Sequence, residues 1–171
     1  GTSAFLSVRK RADIKQSRHF LVTRGIWLII LEFTVVNFAL WFDLHFRILL
    51  FQVIAAIGFG FIFLSLFIRL PAAATGIVGL LIIFGHNLLA GIRFEDNSIV
   101  AMVLSPLLNL NSYQVTPRFT VIIAYPFLPW FGIMLTGFAA GRLFELPVVK
   151  RKRIFLLTGL SALLIFVALR Y

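Results

Sequence analysis

Residues 20–42, FLVTRGIWLIILEFTVVNFALWF, decide how the rest of the chain is read. The run is apolar almost throughout and slightly exceeds the ~20 residues a helix needs to cross a ~30 Å hydrocarbon core. A backbone in lipid must satisfy its own hydrogen bonds, so the run is read as a helix. Two charges interrupt it, Arg24 near one end and Glu32 at its midpoint. A carboxylate at that depth is costly, by ~2.5 kcal/mol or more. Glu32 is therefore expected to point into a bundle that the remaining chain supplies.

The composition agrees. Of 171 residues, 61% are hydrophobic, against about 45–50% in soluble domains. The expected architecture is all-α, a polytopic transmembrane helical bundle forming one membrane-embedded domain over residues 1–171. The net charge of +10 does not point to nucleic acid, because the cations lie between apolar runs, as membrane-flanking cations do. With no cysteine, a disulfide framework and thiol catalysis are excluded. No cluster of His and acidic residues suggests a metal. The chain opens on Gly1 and closes on Arg170-Tyr171 directly after an apolar run, so it is expected to be a piece of a larger membrane protein. The opening GTSAFLS reads as the end of a preceding helix.

Outward from the first run, hydropathy gives about five spans: 20–42, 48–68, 73–91, 119–141 and 154–169. Asp43-Leu44-His45-Phe46 is expected to be a tight turn, with Arg47 opening the return helix. Residues 92–118 form the polar outer loop, and within it 99–110 is an apolar patch too short to span. Tyr125-Pro126 and Pro129-Trp130 imply a distorted start to the fourth span. Gly137 and Gly141 form a GxxxG on which another helix, or a second copy of the chain, could approach closely. The segments 9–19 and 142–153 are basic. This scheme puts 12 of the 16 basic residues on one side, leaving Arg47, Arg93, Arg118 and Arg170 on the other. By the positive-inside rule the first group is cytoplasmic. No internal repeat and no paired interrupted helices are visible.

Depth then sorts the polar residues inside the spans. At ~1.5 Å per residue, Asn37, Gln52, His86, Asn87 and Tyr125 all fall within about two turns of the outer surface, with Glu32 deeper. Two readings stand for each: interhelical hydrogen bonds that merely hold the bundle together, or a polar site open to the outside with Glu32 at its floor. His86 is the candidate for chemistry, because an imidazole can move protons near neutral pH. Arg24, Arg69 and Arg142 lie at the inner ends of spans, where they could meet an anionic cofactor. Spacing alone gives no reaction; Walker, GxSxG and HExxH motifs are missing.

Several ordered segments carry a resemblance. GTSAFLS with its basic loop, RHFLVTRGIWLIILEFTVVNF, FRILLFQVIAAIGFGFIFLSLFIRLP, FGHNLLAGI (84–92) and IIAYPFLPWFGIMLTGFAAGRLFE (122–145) together resemble the bacterial relatives of heparan-alpha-glucosaminide N-acetyltransferase. The resemblance implies a multi-span enzyme of the bacterial cytoplasmic membrane. Such an enzyme takes acetyl from cytosolic acetyl-CoA and delivers it to a sugar amine or hydroxyl on the other side. It also implies that the essential histidine lies upstream of the GTS segment, so that role is not given to His86. Ala90 departs from an acidic residue common in such sequences. Two other classes remain open: a proton-coupled transporter or flippase using Glu32 and His86 as a relay, and a non-catalytic scaffold.

Overall fold

The computed structural model describes residues 1–11, 13–89, 106–108 and 110–170. Most of the outer loop, with Ala90, Arg93 and most of the 99–110 patch, lies outside the described residues.

A short helix, α1 (Thr2–Arg9), precedes the first span. That span starts earlier than expected. Asp13 caps α2 (Ile14–Leu31) by accepting from the Lys15 amide, satisfying one of the free N–H groups of a helix start. A π-helical turn, Glu32–Val36, and α3 (Asn37–Trp41) continue it into a rod of 28 residues. The chain then turns through 42–47, with Phe42 and Phe46 both in the left-handed region (φ 49° and 48°).

Arg47 does not open a helix. It leads into β1 (Ile48–Phe51), and only after Gln52 does α4 (Val53–Phe67) begin. The fourth span is built the same way. The hairpin β2 (Asn111–Thr116) and β3 (Phe119–Ile123) leads through Tyr125-Pro126 into α6 (Phe127–Ala140). Between the two units runs α5 (Ala72–Leu89). The strands form one sheet in the order β1-β3-β2, with β1 and β3 parallel and β2 and β3 antiparallel. The all-α expectation is therefore corrected to a mostly helical chain with a small sheet. The reason is physical: a continuous apolar run reads alike as strand or helix. Here Ile48–Phe51 and the β-branched Thr120, Val121, Ile122 and Ile123 pair with each other. A strand of four or five residues adds roughly 13–17 Å to a helix of about 22 Å, so each composite still covers a membrane's thickness.

The prolines of the fourth span do not kink a helix; they begin one. Pro126 is the N-cap of α6 and Pro129 lies in its first turn, where a missing N–H leaves nothing unsatisfied. The basic segment 142–153 is likewise mostly helical: a 3-10 turn (Gly141–Glu145) passes almost directly into α7 (Val148–Arg170). Among the described residues, three helices, Ile14–Trp41, Phe127–Glu145 and Val148–Arg170, are long and apolar enough to cross a membrane, and α4 and α5 are shorter apolar helices.

Glycines set the helix crossings. A Cβ on Gly25 would lie 2.5 Å from the Gly58 carbonyl oxygen, and one on Gly58 would lie 2.7 Å from that of Gly25, so α2 and α4 meet backbone to backbone. Gly79 and Gly132 repeat the arrangement between α5 and α6, at 2.8 and 2.9 Å. The close approach expected at Gly137 and Gly141 is taken by the chain's own α1: Thr2 Oγ1 donates to the Gly137 carbonyl at 2.9 Å, and Phe5 lies on Gly141. Between α4 and α6 the contact is made by side chains: Met134 lies on Gly60, where an added Cβ would meet its Cε at 2.6 Å, and phenylalanines face one another. Phe59 and Phe63 contact Phe127, while Phe63 and Phe67 contact Phe131, with ring centroids 5.4–6.5 Å apart.

Candidate functional site

Three irregularities of the backbone meet at the sheet end of the bundle. Two are the breaks where β1 and β3 pass into helices. They are adjacent, because the Ala124 amide donates to the Phe51 carbonyl at 2.9 Å. Gln52 and Tyr125, both anticipated as polar groups at this depth, stand at these two breaks. Gln52 is half-buried and makes no side-chain cap to its own helix. Tyr125 is half-buried against Trp130, with centroids 5.0 Å apart.

The third irregularity is the π-turn, and it explains Glu32. In a regular α-helix, residues five apart point well away from one another. The π-turn closes at i+5 and turns Glu32 and Asn37 toward the β1–α4 junction. Both are fully buried. Glu32 Oε2 accepts from the Ala55 amide at 3.0 Å, so a carboxylate caps the start of α4 across 23 residues of sequence. A negative group at a helix N-terminus also meets the favourable end of its dipole. Its other oxygen, Oε1, is the one buried side-chain polar atom among the described residues with no partner.

Asn37 works as a substitute strand. Its Oδ1 accepts from the Leu50 amide at 2.6 Å, and its Nδ2 donates to the Leu50 carbonyl at 3.0 Å and to the Glu32 carbonyl at 2.7 Å. These bonds satisfy the edge of β1 that no other strand covers. The Asn37 amide is thus fully engaged within the fold.

His86 and Asn87 lie at the same end on α5. Gly76 faces Ala139 and Gly79 faces Thr136, so α5 and α6 are antiparallel, and continuing that register carries His86 to about the level of Pro129. His86 is half-buried, with Nδ1 2.7 Å from the Ile83 carbonyl. A carbonyl only accepts, so this contact selects the form with a proton on Nδ1. Asn87 is exposed. The structure brings together Glu32, Asn37, Gln52 and Tyr125 through β1 and β3, and it sets His86 and Asn87 on the neighbouring α5.

What sequence reading missed here is aromatic. A cavity of about 360 Å³ is walled by Phe33, Phe51, Phe59, Phe63, Pro106, Leu107 and Phe127. Each irregularity contributes one ring beside its polar residue: Phe33 follows Glu32, Phe51 precedes Gln52, and Phe127 follows Tyr125-Pro126. The signal was the 20 phenylalanines in the chain, but nothing in their spacing showed which would converge.

The turn before β1 is rigidly made. Asp43 accepts from the His45 amide at 3.0 Å, the Arg47 amide at 3.2 Å and Arg47 Nε at 2.9 Å. The Arg47 guanidinium, with the His45 amide, holds the Asp43 carboxyl at about 2, below its ordinary 3.8.

The three expected cofactor arginines are all exposed and do not share one pocket. Arg69 and Arg142 lie at the opposite, basic end, whereas Arg24, expected at the inner end of a span, sits well inside α2 because that helix starts earlier, beside the Gly25–Gly58 crossing. Arg142 lines a cavity of about 190 Å³ with Arg9, Glu145, Ile68 and Leu70, and Arg69 borders it in sequence. Arg24 instead stacks over Phe20 at 4.8 Å, the same ring that Arg11 covers at 3.5 Å. Arg9 pairs with Glu145 at 2.8 Å and ties α1 to the 3-10 turn.

Compared with known families, the chain matches the profile described as heparan-alpha-glucosaminide N-acetyltransferase, catalytic, over residues 1–169. Among curated proteins and among solved structures, none matches the chain.

Proposed function

The chain belongs to the catalytic family of heparan-alpha-glucosaminide N-acetyltransferase, and on that premise we propose that it forms part of an integral membrane acyltransferase. The family is one of membrane acetyltransferases that use acetyl-CoA. In this reading, acetyl moves from cytosolic acetyl-CoA to a sugar or other acceptor on the outer side of a bacterial cytoplasmic membrane. The basic end faces the cytoplasm and the sheet end faces out. The observation that carries the reading is the junction of the two strand-to-helix breaks, with Glu32 capping one of them. Non-helical backbone at membrane depth is tolerated only where protein buries it or a cavity adjoins it, so two such breaks side by side support a binding site there.

Within that site, Gln52, Asn87 and Tyr125 orient the acceptor's polar groups, and Glu32 and Asn37 hold the β1–α4 junction. His86, which does not take the part of the family's essential histidine, can hold or relay a proton of the acceptor amine or hydroxyl through Nε2. Arg24, Arg69 and Arg142 offer charge to the cofactor's phosphates. The test is acetyl-CoA consumption by the full-length protein in vesicles. His86→Ala should lower kcat by roughly 10²-fold, the low end of what a positioned proton-transfer group supplies. An intact protein that neither binds nor consumes acetyl-CoA would sink the proposal. Paired interrupted spans are also a transporter device, which keeps one second reading alive: proton-coupled uptake without acetyl-CoA turnover would favour it.

A further inference from the structure

We infer that the aromatic cavity is a site for a hydrocarbon chain, and hence that the acceptor is an amphiphile whose polar head lies at the strand ends; the second half of this inference rests on the acetyltransferase reading. The wall consists of five phenylalanine rings with Pro106 and Leu107, all of them apolar side chains. Its volume of about 360 Å³ lies within the ~300–1,000 Å³ of ordinary ligand sites. A polar ligand does not suit it. Each amide of a pantetheine arm buried there would lose water without gaining a partner. A sugar ring would leave still more hydroxyls unpaired. A chain of methylenes loses nothing.

Three further observations choose a membrane amphiphile over other apolar occupants. Phe63 walls the cavity yet remains 40% exposed on a helix of a membrane protein, so the space is open at its side. Three of the rings, Phe33, Phe51 and Phe127, lie within two residues of Glu32, Gln52 or Tyr125, so the cavity and these hydrogen-bonding groups share the sheet end of the bundle. The cavity is also structural in origin. Gly25–Gly58 and Gly79–Gly132 bring two helix pairs together backbone to backbone, whereas α4 and α6 meet through side chains, Met134 on Gly60 and the rings of Phe59 and Phe63 on Phe127. The cavity lies where those rings face one another.

The experiment uses the full-length protein in lipid nanodiscs with an alkyl glucosaminide carrying a diazirine in mid-chain. After photolysis, labelled residues are mapped with and without excess of the same amphiphile lacking the diazirine. The expected result is labelling at Phe33, Phe51, Phe59, Phe63 or Phe127 that falls at least tenfold under competition. Background labelling of exposed α7 positions such as Leu164 should not change. Labelling confined to α7, or cavity labelling that excess amphiphile leaves unchanged, would overturn the inference. The second of these results would mean bulk lipid tails or the chain's own segments fill the space. Acetyl-CoA turnover is scored separately in the same discs. Competed labelling without turnover would keep the chain site and remove the acetyltransferase reading.

Discussion

Residues 14–67 and 72–140 solve one architectural problem twice, by different means. Each unit rises as a helix, returns as a strand, and breaks into a descending helix that crosses its partner at facing glycines. Each must satisfy a strand edge and a helix start at membrane depth, where unpaired backbone groups are costly. In the first unit β1 is an edge strand, and Asn37 stands in for the missing neighbour. In the second, β3 is central and has β1 on one side and β2 on the other. The start of α4 is capped by a buried carboxylate from another helix. The start of α6 carries prolines, which remove donors instead of satisfying them. The first unit therefore concentrates its polar risk in two side chains, and the second spreads it over backbone pairing.

That contrast fixes the expected order of mutational effects. Asn37→Leu should be the most damaging change, because it strands the Leu50 amide, the Leu50 carbonyl and a bond to the Glu32 carbonyl together. At ~1–3 kcal/mol for each unpaired buried group, a loss of roughly 3 kcal/mol or more is expected, read as thermal stability in detergent. No single side chain in the second unit should match it. A mild effect at Asn37 would mean that β1 is held by something other than this clamp.

Glu32→Leu comes next. Losing a cap costs ~0.5–2 kcal/mol, and the Ala55 amide is left buried. Glu32→Gln keeps an acceptor for that amide and should retain more of the stability than Leu does. The paired control is Pro129→Ala in the second unit, which restores a first-turn N–H that has no intrahelical acceptor; because the position is only half-buried, it should cost less than Glu32→Leu. If Pro129→Ala costs as much as Glu32→Leu, the two helix starts are not alternative solutions.

The packing of the two crossings sharpens the likeness instead. Gly25→Ala and Gly132→Ala each press a methyl onto a facing backbone oxygen, at about the 2.5 Å and 2.9 Å found for an added Cβ. Overpacking of this kind costs ~1–3 kcal/mol, and Gly25 should suffer more. Gly85, whose added Cβ meets nothing within 4 Å, should accept alanine with no loss.

How much of this was legible in the sequence differs by residue type. The rods 14–41 and 72–89 were visible as spans 20–42 and 73–91, because a long apolar run in lipid has few alternatives to helix; the polar start of the first, 14–19, was not. Glu32 was correctly expected to face protein, since the cost of a carboxylate in lipid does not depend on details. The two composite spans were not legible. ILLF and FTVII are as apolar as the helices they adjoin, and what makes them strands is pairing with each other across about 70 residues. With them went the internal repeat, which lies in topology and not in residue identity. Gln52 and Tyr125 were placed at one depth from the sequence and stand at the two breaks, while the Glu32–Asn37 partnership was missed, because its spacing of five has no meaning until the helix takes a π-turn.

The smallest effect belongs to the turn that joins α3 to β1, which in the first unit spans only residues 42–47. Asp43 is exposed enough that its ion pair with Arg47 adds little to global stability. Its bonds to the His45 and Arg47 amides nevertheless hold the chain where Phe42 and Phe46 adopt left-handed backbone that bulky residues rarely take. The sign follows from the lowered carboxyl. With a folded value of about 2 against an ordinary 3.8, the contribution is fully present above pH ~4 and is lost as pH falls toward 2. Amide exchange of His45 and Arg47 should therefore speed up across that window, relative to the intrinsic rate, while amides of α2 keep their protection. Asp43→Asn, which still accepts hydrogen bonds but does not titrate there, should abolish the pH dependence of the turn. If the two amides are equally protected at pH 2 and pH 5 in the wild-type protein, the strained turn is held by the sheet, not by Asp43, and the first unit carries one fewer polar device than its geometry indicates.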